Sequence, residues 1–313
     1  MEVKRRAARS LVQRLTSDSD RIRSDATCEL RLLSKHDPDS RLFIAEAGAV
    51  PLLVQTLYSV DADAQENAVA TLFNISISHR EPLMSTPVLV DALGHVLRHP
   101  KSPSAAQTAA ATLHSLLVVD AYRPIIGSKP HLLTPLIHLI QNPNSPTRSI
   151  KDGLKALFGV SLYPLNRPRL VELGIVPPLF NLVLKDSRLG IVEDSTAVIA
   201  QVAGCFESVE VFRQVAGVKV LVDLLDASTG STLRVKENAV SALLNLVRCG
   251  GDAIGEDFRE MGFAWDGILE VAETGSAKLK ARATDLLNLI GEAEKRLGKV
   301  PLWLYGCELS SPL

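Results

Sequence analysis

Residues 237–247 read ENAVSALLNLV and residues 66–76 read ENAVATLFNIS, so one helical pattern occurs twice with few changes. Five more segments follow it: SDATCELRLLS (24–34), QTAAATLHSLL (107–117), KDGLKALFGVS (151–161), EDSTAVIAQVA (193–203) and KARATDLLNLI (280–290). Their alignment brings seven aliphatic residues into register, with gaps of 42, 41, 44, 42, 44 and 43 residues: Leu30, Leu72, Leu113, Leu157, Ile199, Leu243 and Leu286. Self-similarity at this period predicts an all-α solenoid of stacked helical repeats.

One repeat contains three helices. Residues 39–46 predict a short amphipathic helix that ends at Gly48, because glycine adopts positive φ without steric cost. A second helix begins near Pro51, a loop follows, and a long third helix covers residues 62–76. Gly174, Gly217 and Gly262 are predicted to form the same turn in later repeats.

The long third helix explains why the repeats stack. Four residues before the aligned aliphatic residue the side chain is small, as at Ala26, Ala68 and Ala239, and three residues after it the side chain is apolar. These positions share one helical face, where small residues allow close approach and large ones fill the space between repeats. Burial of each aligned leucine contributes roughly 1.5–3 kcal/mol.

The composition excludes some classes of function. The chain has 313 residues and a net charge of −1, from 34 basic and 35 acidic residues, whereas a nucleic-acid-binding surface on this scale requires a marked basic excess. No apolar run reaches the roughly 18 residues that span a bilayer. Cys28, Cys205, Cys249 and Cys307 are far apart and are interpreted as buried reduced thiols in a cytosolic or nuclear protein.

The two ends depart from the repeat pattern. Residues 1–20 predict a capping helix whose Val3, Leu11 and Leu15 cover the first repeat, and residues 21–291 form the array. The basic residues at positions 4–9 are either the solvated face of this helix or a nuclear-import patch. Residues 292–313 form a tail for which two states stay open, folded back on the last repeat or loose.

No sequence motif indicates catalysis or metal binding. Walker A, G-x-S-x-G, kinase and G-x-G-x-x-G strings are absent, which predicts a protein that is not an enzyme and needs no cofactor. His95 and His99 have helical i, i+4 spacing, but a zinc site requires further ligands, so no metal is predicted. A row of arginines recurs in the first short helices and either forms salt bridges between layers or decorates the surface: Arg41, Arg80, Arg123 and Arg167.

Three strings carry a family resemblance: RLFIAEAGAVPLLVQTL (41–57), AQENAVATLFNIS (64–76) and RVKENAVSALLNL (234–246). They resemble the armadillo domain of plant U-box/armadillo proteins. The resemblance covers about residues 21–291 and implies a right-handed α-solenoid of about six to seven armadillo repeats. Family members with a U-box are ubiquitin ligases, in which the U-box recruits the E2 enzyme and the armadillo array holds the substrate or a kinase. The chain has no room for a U-box before its first repeat, so it looks like an armadillo-only relative.

In armadillo arrays the long helix lines a concave groove, and an asparagine two residues after the aligned leucine holds the backbone of an extended peptide in related proteins. An amide suits this role because it both donates and accepts hydrogen bonds. The resemblance therefore implies a partner-binding groove that contains Asn74, Ser115, Lys155, Gln201, Asn245, Asn288, Glu66, Glu193 and Glu237. Its acidic positions favour a polar peptide with some basic residues. Alternatively, Glu193, Asp194 and Glu237 complement the dipoles of their own helices.

These observations predict a monomeric, non-catalytic scaffold that binds a partner protein or peptide, in the cytoplasm, the nucleus or both. The resemblance extends this prediction to plant signalling linked to ubiquitin or to a kinase. The alternative is the substrate-recognition part of a U-box ubiquitin ligase. Neither nucleic acid nor a membrane is an expected partner.

Overall fold

The computed structural model describes residues 1–186, 188–261 and 264–296, and every regular element within these ranges is a helix. The chain divides into two compact units, Met1–Tyr163 (unit 1) and Pro164–Leu313 (unit 2). Each unit is a stack of helical repeats, as the sequence period predicts.

Unit 1 begins with α1 and then alternates short helices with long ones. Its helices are α1 (Glu2–Arg14), α2 (Asp20–His36), α3 (Ser40–Glu46), α4 (Ala49–Thr56), α5 (Ala62–Ser78), α6 (Glu81–Met84), α7 (Leu89–Arg98), α8 (Pro103–Leu116), α9 (Tyr122–Gly127), α10 (Pro130–Gln141) and α11 (Thr147–Ser161). The long helices α2, α5, α8 and α11 pack against one another in succession and form one layer. The helices α4, α7 and α10 each pack on the long helix that follows them.

Unit 2 repeats this arrangement. Its helices are α12 (Arg167–Glu172), α13 (Val176–Lys185), α14 (Leu189–Val202), α15 (Ser208–Gln214), α16 (Gly217–Asp223), α17 (Leu233–Gly250), α18 (Asp252–Glu260), α19 (Ala264–Thr274) and α20 (Ala277–Arg296). The long helices α14, α17 and α20 form the layer, and α13, α16 and α19 pack on them. Helix α20 extends beyond residue 291, where the array was predicted to end, and residues 297–313 of the predicted tail lie outside the described residues.

The predicted register of the repeats is confirmed by burial. All seven aligned aliphatic residues, from Leu30 to Leu286, have no exposed surface. The small residues four positions earlier are also fully buried in five long helices, at Ala26, Ala68, Ala109, Ser195 and Ala239. The aligned residues therefore form the apolar core between successive repeats.

The glycine turn is confirmed at two positions and wrong at a third. Gly48 and Gly174 adopt φ of +83° and +79°, as predicted. In the next repeat Ala216 takes the positive φ, +52°, and Gly217 is the first residue of α16. A Cβ on Gly217 would lie 2.7 Å from the Phe180 ring, so this glycine permits close packing instead of the turn. Gly262 lies outside the described residues.

Helix α1 caps the first repeat through fewer residues than predicted. Leu11 and Leu15 are buried, but Val3 is 82% exposed, so its predicted covering role is wrong. Lys4 contributes in place of Val3, because its Nζ forms ion pairs with Asp37 (2.9 Å) and Asp39 (3.1 Å). The hydrogen bond from Lys4 lowers the pKa of Asp37 below its usual value.

Candidate functional site

The polar side chains of the long helices determine what these layers can bind. Within each unit the long helices run parallel, because contacts join like ends: Gln107 near the start of α8 bonds Asp152 near the start of α11, and Ser115 at the end of α8 bonds Ser76 at the end of α5. Residues at equivalent repeat positions therefore form rows across the layer. All the predicted groove residues except Lys155 fall into two such rows.

The first row lies two residues after the aligned leucine, and part of it joins a long helix to the preceding long helix of the same unit. Three of its side chains donate a hydrogen bond to the C-terminal part of the preceding long helix. The bonds run from Asn74 Nδ2 to Ser34 Oγ (3.0 Å), from Ser115 Oγ to the Ser76 carbonyl (2.9 Å) and from Asn245 Nδ2 to the Ala200 carbonyl (2.8 Å). These groups hold repeats together, and for Asn74 and Asn245 one amide N–H is committed to that role.

The two other amides of the row differ from each other. Gln201 Oε1 accepts a hydrogen bond from Arg167 Nη2 at 3.1 Å, and Arg167 Nη1 also donates to the Gly204 carbonyl at 3.3 Å. Burial lowers the pKa of the Arg167 guanidinium. Asn288, on the last helix α20, is exposed and makes no hydrogen bond within the described chain. Its repeat is followed by no described repeat that could cover it.

The second row contains the three predicted glutamates, six residues before the aligned aliphatic residue. Each glutamate accepts a hydrogen bond from the hydroxyl that precedes the next long helix. The pairs are Glu66 with Ser102 (2.7 Å), Glu193 with Thr232 (2.8 Å) and Glu237 with Ser276 (3.0 Å). The same hydroxyls accept a hydrogen bond from the third backbone N–H of their own helices. One hydroxyl thus caps its helix and ties it to the preceding repeat.

This arrangement corrects the interpretation that the glutamates complement the dipoles of their own helices. Neither α14 nor α17 has an acidic residue in its first turn, so Glu193 and Glu237 lie beyond the strongest part of the dipole. Glu193 instead lies beside the N-terminus of α17, where Arg234 Nη1 is 3.6 Å from its Oε2. The sequence contained a signal for this contact, since each hydroxyl follows its glutamate by 36–39 residues, slightly less than one repeat.

The contact between α8 and α11 lacks the hydroxyl–glutamate pair. At the glutamate position α8 has Gln107, whose Nε2 donates to Asp152 Oδ2 at 3.0 Å, and the residue before α11 is Pro146. Lys151 and Lys155, one turn apart on α11, are partly exposed and form no ion pair or hydrogen bond within the described chain. They are therefore uncompensated cations, and Lys155 occupies the row of Ala70 and Ala111, two residues before the aligned leucine.

The recurring arginines cap the C-terminal ends of long helices. Each donates a hydrogen bond to a carbonyl at the end of a long helix, which places a cation near the negative end of the helix dipole. The bonds run from Arg41 to Ser34, from Arg80 to Ser115, from Arg123 to Leu117 and from Arg167 to Gly204. Arg80 and Arg167 reach a carbonyl 35 and 37 residues away, so they also join separate elements of the stack.

The described cysteines differ in their exposure. Cys28 is exposed, so its prediction as a buried thiol is wrong, whereas Cys205 and Cys249 are partly buried. Burial raises the pKa of the Cys205 thiol to about 11, which keeps it protonated at neutral pH. Cys307 lies outside the described residues.

The described residues offer neither a metal-binding cluster nor a membrane-spanning helix. No group of three or more His, Cys, Asp or Glu side chains in these residues could hold a metal ion. No helix among them has both the length and the apolar composition required to cross a membrane.

The sequence matches the family described as the plant U-box protein ARM repeat region over residues 8–300. U-box domain-containing protein 16 of Arabidopsis thaliana is 29% identical over 264 residues, which are 84% of this chain and 38% of that protein. The chain thus spans less than half the length of this curated relative.

Two solved structures show the same fold. One belongs to a study of a phosphorylation switch that controls the interaction between cadherin and beta-catenin; it is 18% identical, has a TM-score of 0.79, and the match covers 94% of this chain and 55% of that one. A designed armadillo repeat protein is 20% identical with a TM-score of 0.52, over 90% and 99% of the two chains. At these identities the likeness concerns the fold alone.

Proposed function

Because the chain belongs to the family of plant U-box protein ARM repeat regions, we propose that it is a non-catalytic scaffold that binds an extended segment of another protein. The binding surface is the long-helix face of unit 1, defined by the partly exposed side chains of Ala70, Asn74, Ala111, Lys151 and Lys155. The armadillo fold is that of protein-binding scaffolds, and its long helices offer rows of equivalent positions along which an extended chain can run.

The observation that carries this proposal is the pair of uncompensated lysines. The neighbouring carboxylates each lie beside an arginine: Glu66 Oε1 is 3.9 Å from Arg31 Nη2, and Asp152 Oδ2 is 4.0 Å from Arg148 Nε. Lys151 and Lys155, in contrast, have no partner in the described chain. Ala70 on α5 and Ala111 on α8 occupy the same repeat position as Lys155 on α11, and their small side chains suit a row along which a segment can bind. The uncompensated charge on this face of unit 1 is therefore positive. It favours a partner segment with acidic residues, instead of the basic residues that the acidic groove positions suggested from the sequence.

The test is capture of partners from plant cells by proximity labelling and mass spectrometry. We expect Lys155→Glu to reduce the labelling of the main partners by about tenfold, because it places a like charge beside an acidic segment. Lys185→Glu is the matched control, since Lys185 is exposed and belongs to α13, outside the long-helix layers. Equal labelling by the wild type and Lys155→Glu, with both variants folded by circular dichroism, would remove this face from the proposal.

The relatives' names favour a second function, the substrate-recognition part of a U-box ubiquitin ligase. In this case a captured partner should become ubiquitinated when the chain is present with E1, E2 and the U-box that acts with it. The scaffold proposal alone requires capture but no transfer of ubiquitin. Reconstitution with a captured partner separates the two, since Lys155→Glu should abolish transfer only if ubiquitination depends on capture by this face.

A further inference from the structure

The charged residues of unit 1 are distributed unevenly. Between residues 89 and 161, from the start of α7 to the end of α11, the sequence has seven lysines and arginines but only three carboxylates, Asp91, Asp120 and Asp152. Five of the seven histidines also lie in this stretch. The whole chain has a net charge of −1, so the repeats around α7 to α11 form a locally basic part of a nearly neutral protein.

A groove in these repeats collects several of the basic groups. It lies between α7 and α10, with Ala106 of the long helix α8 also in its lining, and has a volume of about 610 Å³. Its polar lining includes Arg98, His131 and His138, and its apolar lining includes Leu97, Pro100 and Leu139. No aspartate or glutamate is among the residues that line it. We refer to this surface as the α7–α10 groove.

The Arg98 side chain is held in place at this groove. Its Nη1 donates to the His131 carbonyl at 2.9 Å, and the guanidinium forms no ion pair with a carboxylate in the described chain. The one carboxylate of α7, Asp91, is already engaged by Lys129 Nζ (3.1 Å) and His131 Nε2 (2.8 Å). Burial raises the pKa of Asp91, but these two hydrogen bonds outweigh it and hold the pKa below the usual value, so Asp91 stays ionised with its charge compensated. The guanidinium of Arg98 remains uncompensated.

We infer that the α7–α10 groove is a second binding site, which takes an acidic segment of a partner protein that also carries an apolar side chain. Charge complementarity selects the acidic residue for Arg98, and the apolar wall formed by Leu97, Pro100 and Leu139 accepts the apolar side chain. A phosphate ion would leave this wall unfilled. A nucleic acid would require a basic excess over a wider surface than this chain has.

The inference is tested with random short peptides displayed on phage and selected on the full chain carrying Lys155→Glu, which disables the long-helix face. We expect the selected peptides to combine acidic and apolar residues. Their affinity for the wild-type chain, measured by fluorescence polarisation, should match that for Lys155→Glu and fall by about tenfold for Arg98→Glu. Arg21→Glu is the matched control, because Arg21 is exposed on α2 and distant in sequence from the groove.

Several outcomes would overturn the inference. One is that the selected peptides are neutral or basic. Another is that they are acidic but bind Arg98→Glu as tightly as the wild-type chain. Competition by inorganic phosphate alone would indicate a small-anion site, and Arg98-dependent binding of single-stranded DNA would indicate a nucleic-acid site. His138→Glu provides a second variant should Arg98→Glu fail to fold, since His138 is exposed at the same groove. Loss of partner capture with Lys155→Glu but not with Arg98→Glu would support the long-helix face alone.

Discussion

The contact between α8 and α11 in unit 1 differs from the contact between α14 and α17 in unit 2, although the same repeat positions form both. In unit 2, Asn245 bonds the Ala200 carbonyl and Thr232 bonds Glu193, so polar groups join the helices. In unit 1 the position of Asn245 is occupied by Gly159, where an added Cβ would lie 2.8 Å from the Leu117 Cβ. Close apolar packing at Gly159 thus takes the place of the hydrogen bond that the Asn245 side chain makes in unit 2.

This difference explains which residues remain available to a partner. At α14 and α17 the predicted groove residues Glu193, Gln201 and Asn245 are all engaged within unit 2. At α11, Gly159 offers no side chain at the position of Asn245, and Lys151 and Lys155 form no hydrogen bond or ion pair within the described chain. A residue at a groove position is therefore a good candidate for partner recognition only where its side chain is not already bonded to the neighbouring repeat.

The α8–α11 contact and the α14–α17 contact both contain an aligned leucine, so loss of this leucine should destabilise both to a similar extent. Leu157 on α11 and Leu243 on α17 have no exposed surface, so substitution by alanine leaves a cavity between repeats. We expect Leu157→Ala and Leu243→Ala each to lower the free energy of unfolding by about 2–5 kcal/mol. Urea denaturation followed by circular dichroism measures this change. A loss below about 1 kcal/mol at either site would show that the aligned residues do not form the core.

A methyl group on Gly159 tests the close packing at α8 and α11 directly. Alanine normally stabilises a helix interior relative to glycine by roughly 0.5–1 kcal/mol. At Gly159 the added Cβ would meet the Leu117 Cβ, which belongs to a neighbouring element and cannot rotate away. We expect Gly159→Ala to destabilise the chain by about 1–3 kcal/mol in the same urea assay, because overpacking outweighs helix propensity. Increased stability would mean that the two helices separate easily.

The hydroxyl–glutamate pair of Thr232 and Glu193 should stabilise unit 2, whereas α11 has no such pair. Thr232→Ala removes the cap of α17 and the donor to Glu193, so we expect a loss of about 1–2 kcal/mol. Thr232→Ser keeps both hydrogen bonds and is the matched control. Hydrogen exchange locates the effect: faster exchange should appear in the first turn of α17. The pair would have no structural role if alanine and serine gave the same stability.

The sequence predicted the core of this fold more fully than its polar contacts. The register of Leu72 and Leu243 follows from periodicity, because each repeat meets a copy of itself and apolar burial depends mainly on position. The roles of Glu66 and Glu193 depend on which residue precedes the next long helix, which a pattern within one repeat does not contain. A search for a serine or threonine slightly less than one period after each glutamate would have found these pairs.

Two features could not have been predicted from the sequence in this way: the positive φ of Ala216 and the absence of a partner for Lys155. At Ala216 the turn moved by one residue because Gly217 was needed beside the Phe180 ring, a contact between separate elements. Lys155 is distinguished by the absence of a partner in the described chain, and that can be established only after every neighbour is placed. The sequence therefore predicted the repeat face but not which of its polar residues remain free.

The smallest expected effect separates two asparagines that the sequence treated as equivalent. Asn245 donates to the Ala200 carbonyl, whereas Asn288, at the same repeat position, is exposed and has no partner in the described chain. We expect Asn245→Ala to cost about 0.5–1.5 kcal/mol of stability in urea denaturation, and Asn288→Ala to change it by less than about 0.5 kcal/mol. Equal changes at the two sites would mean that the hydrogen bond of Asn245 contributes nothing to stability, since alanine improves helix propensity at both positions. If Asn245→Ala leaves stability unchanged, its amide is as free as Asn288 to bind a peptide, and unit 2 would then offer a second surface for partner recognition.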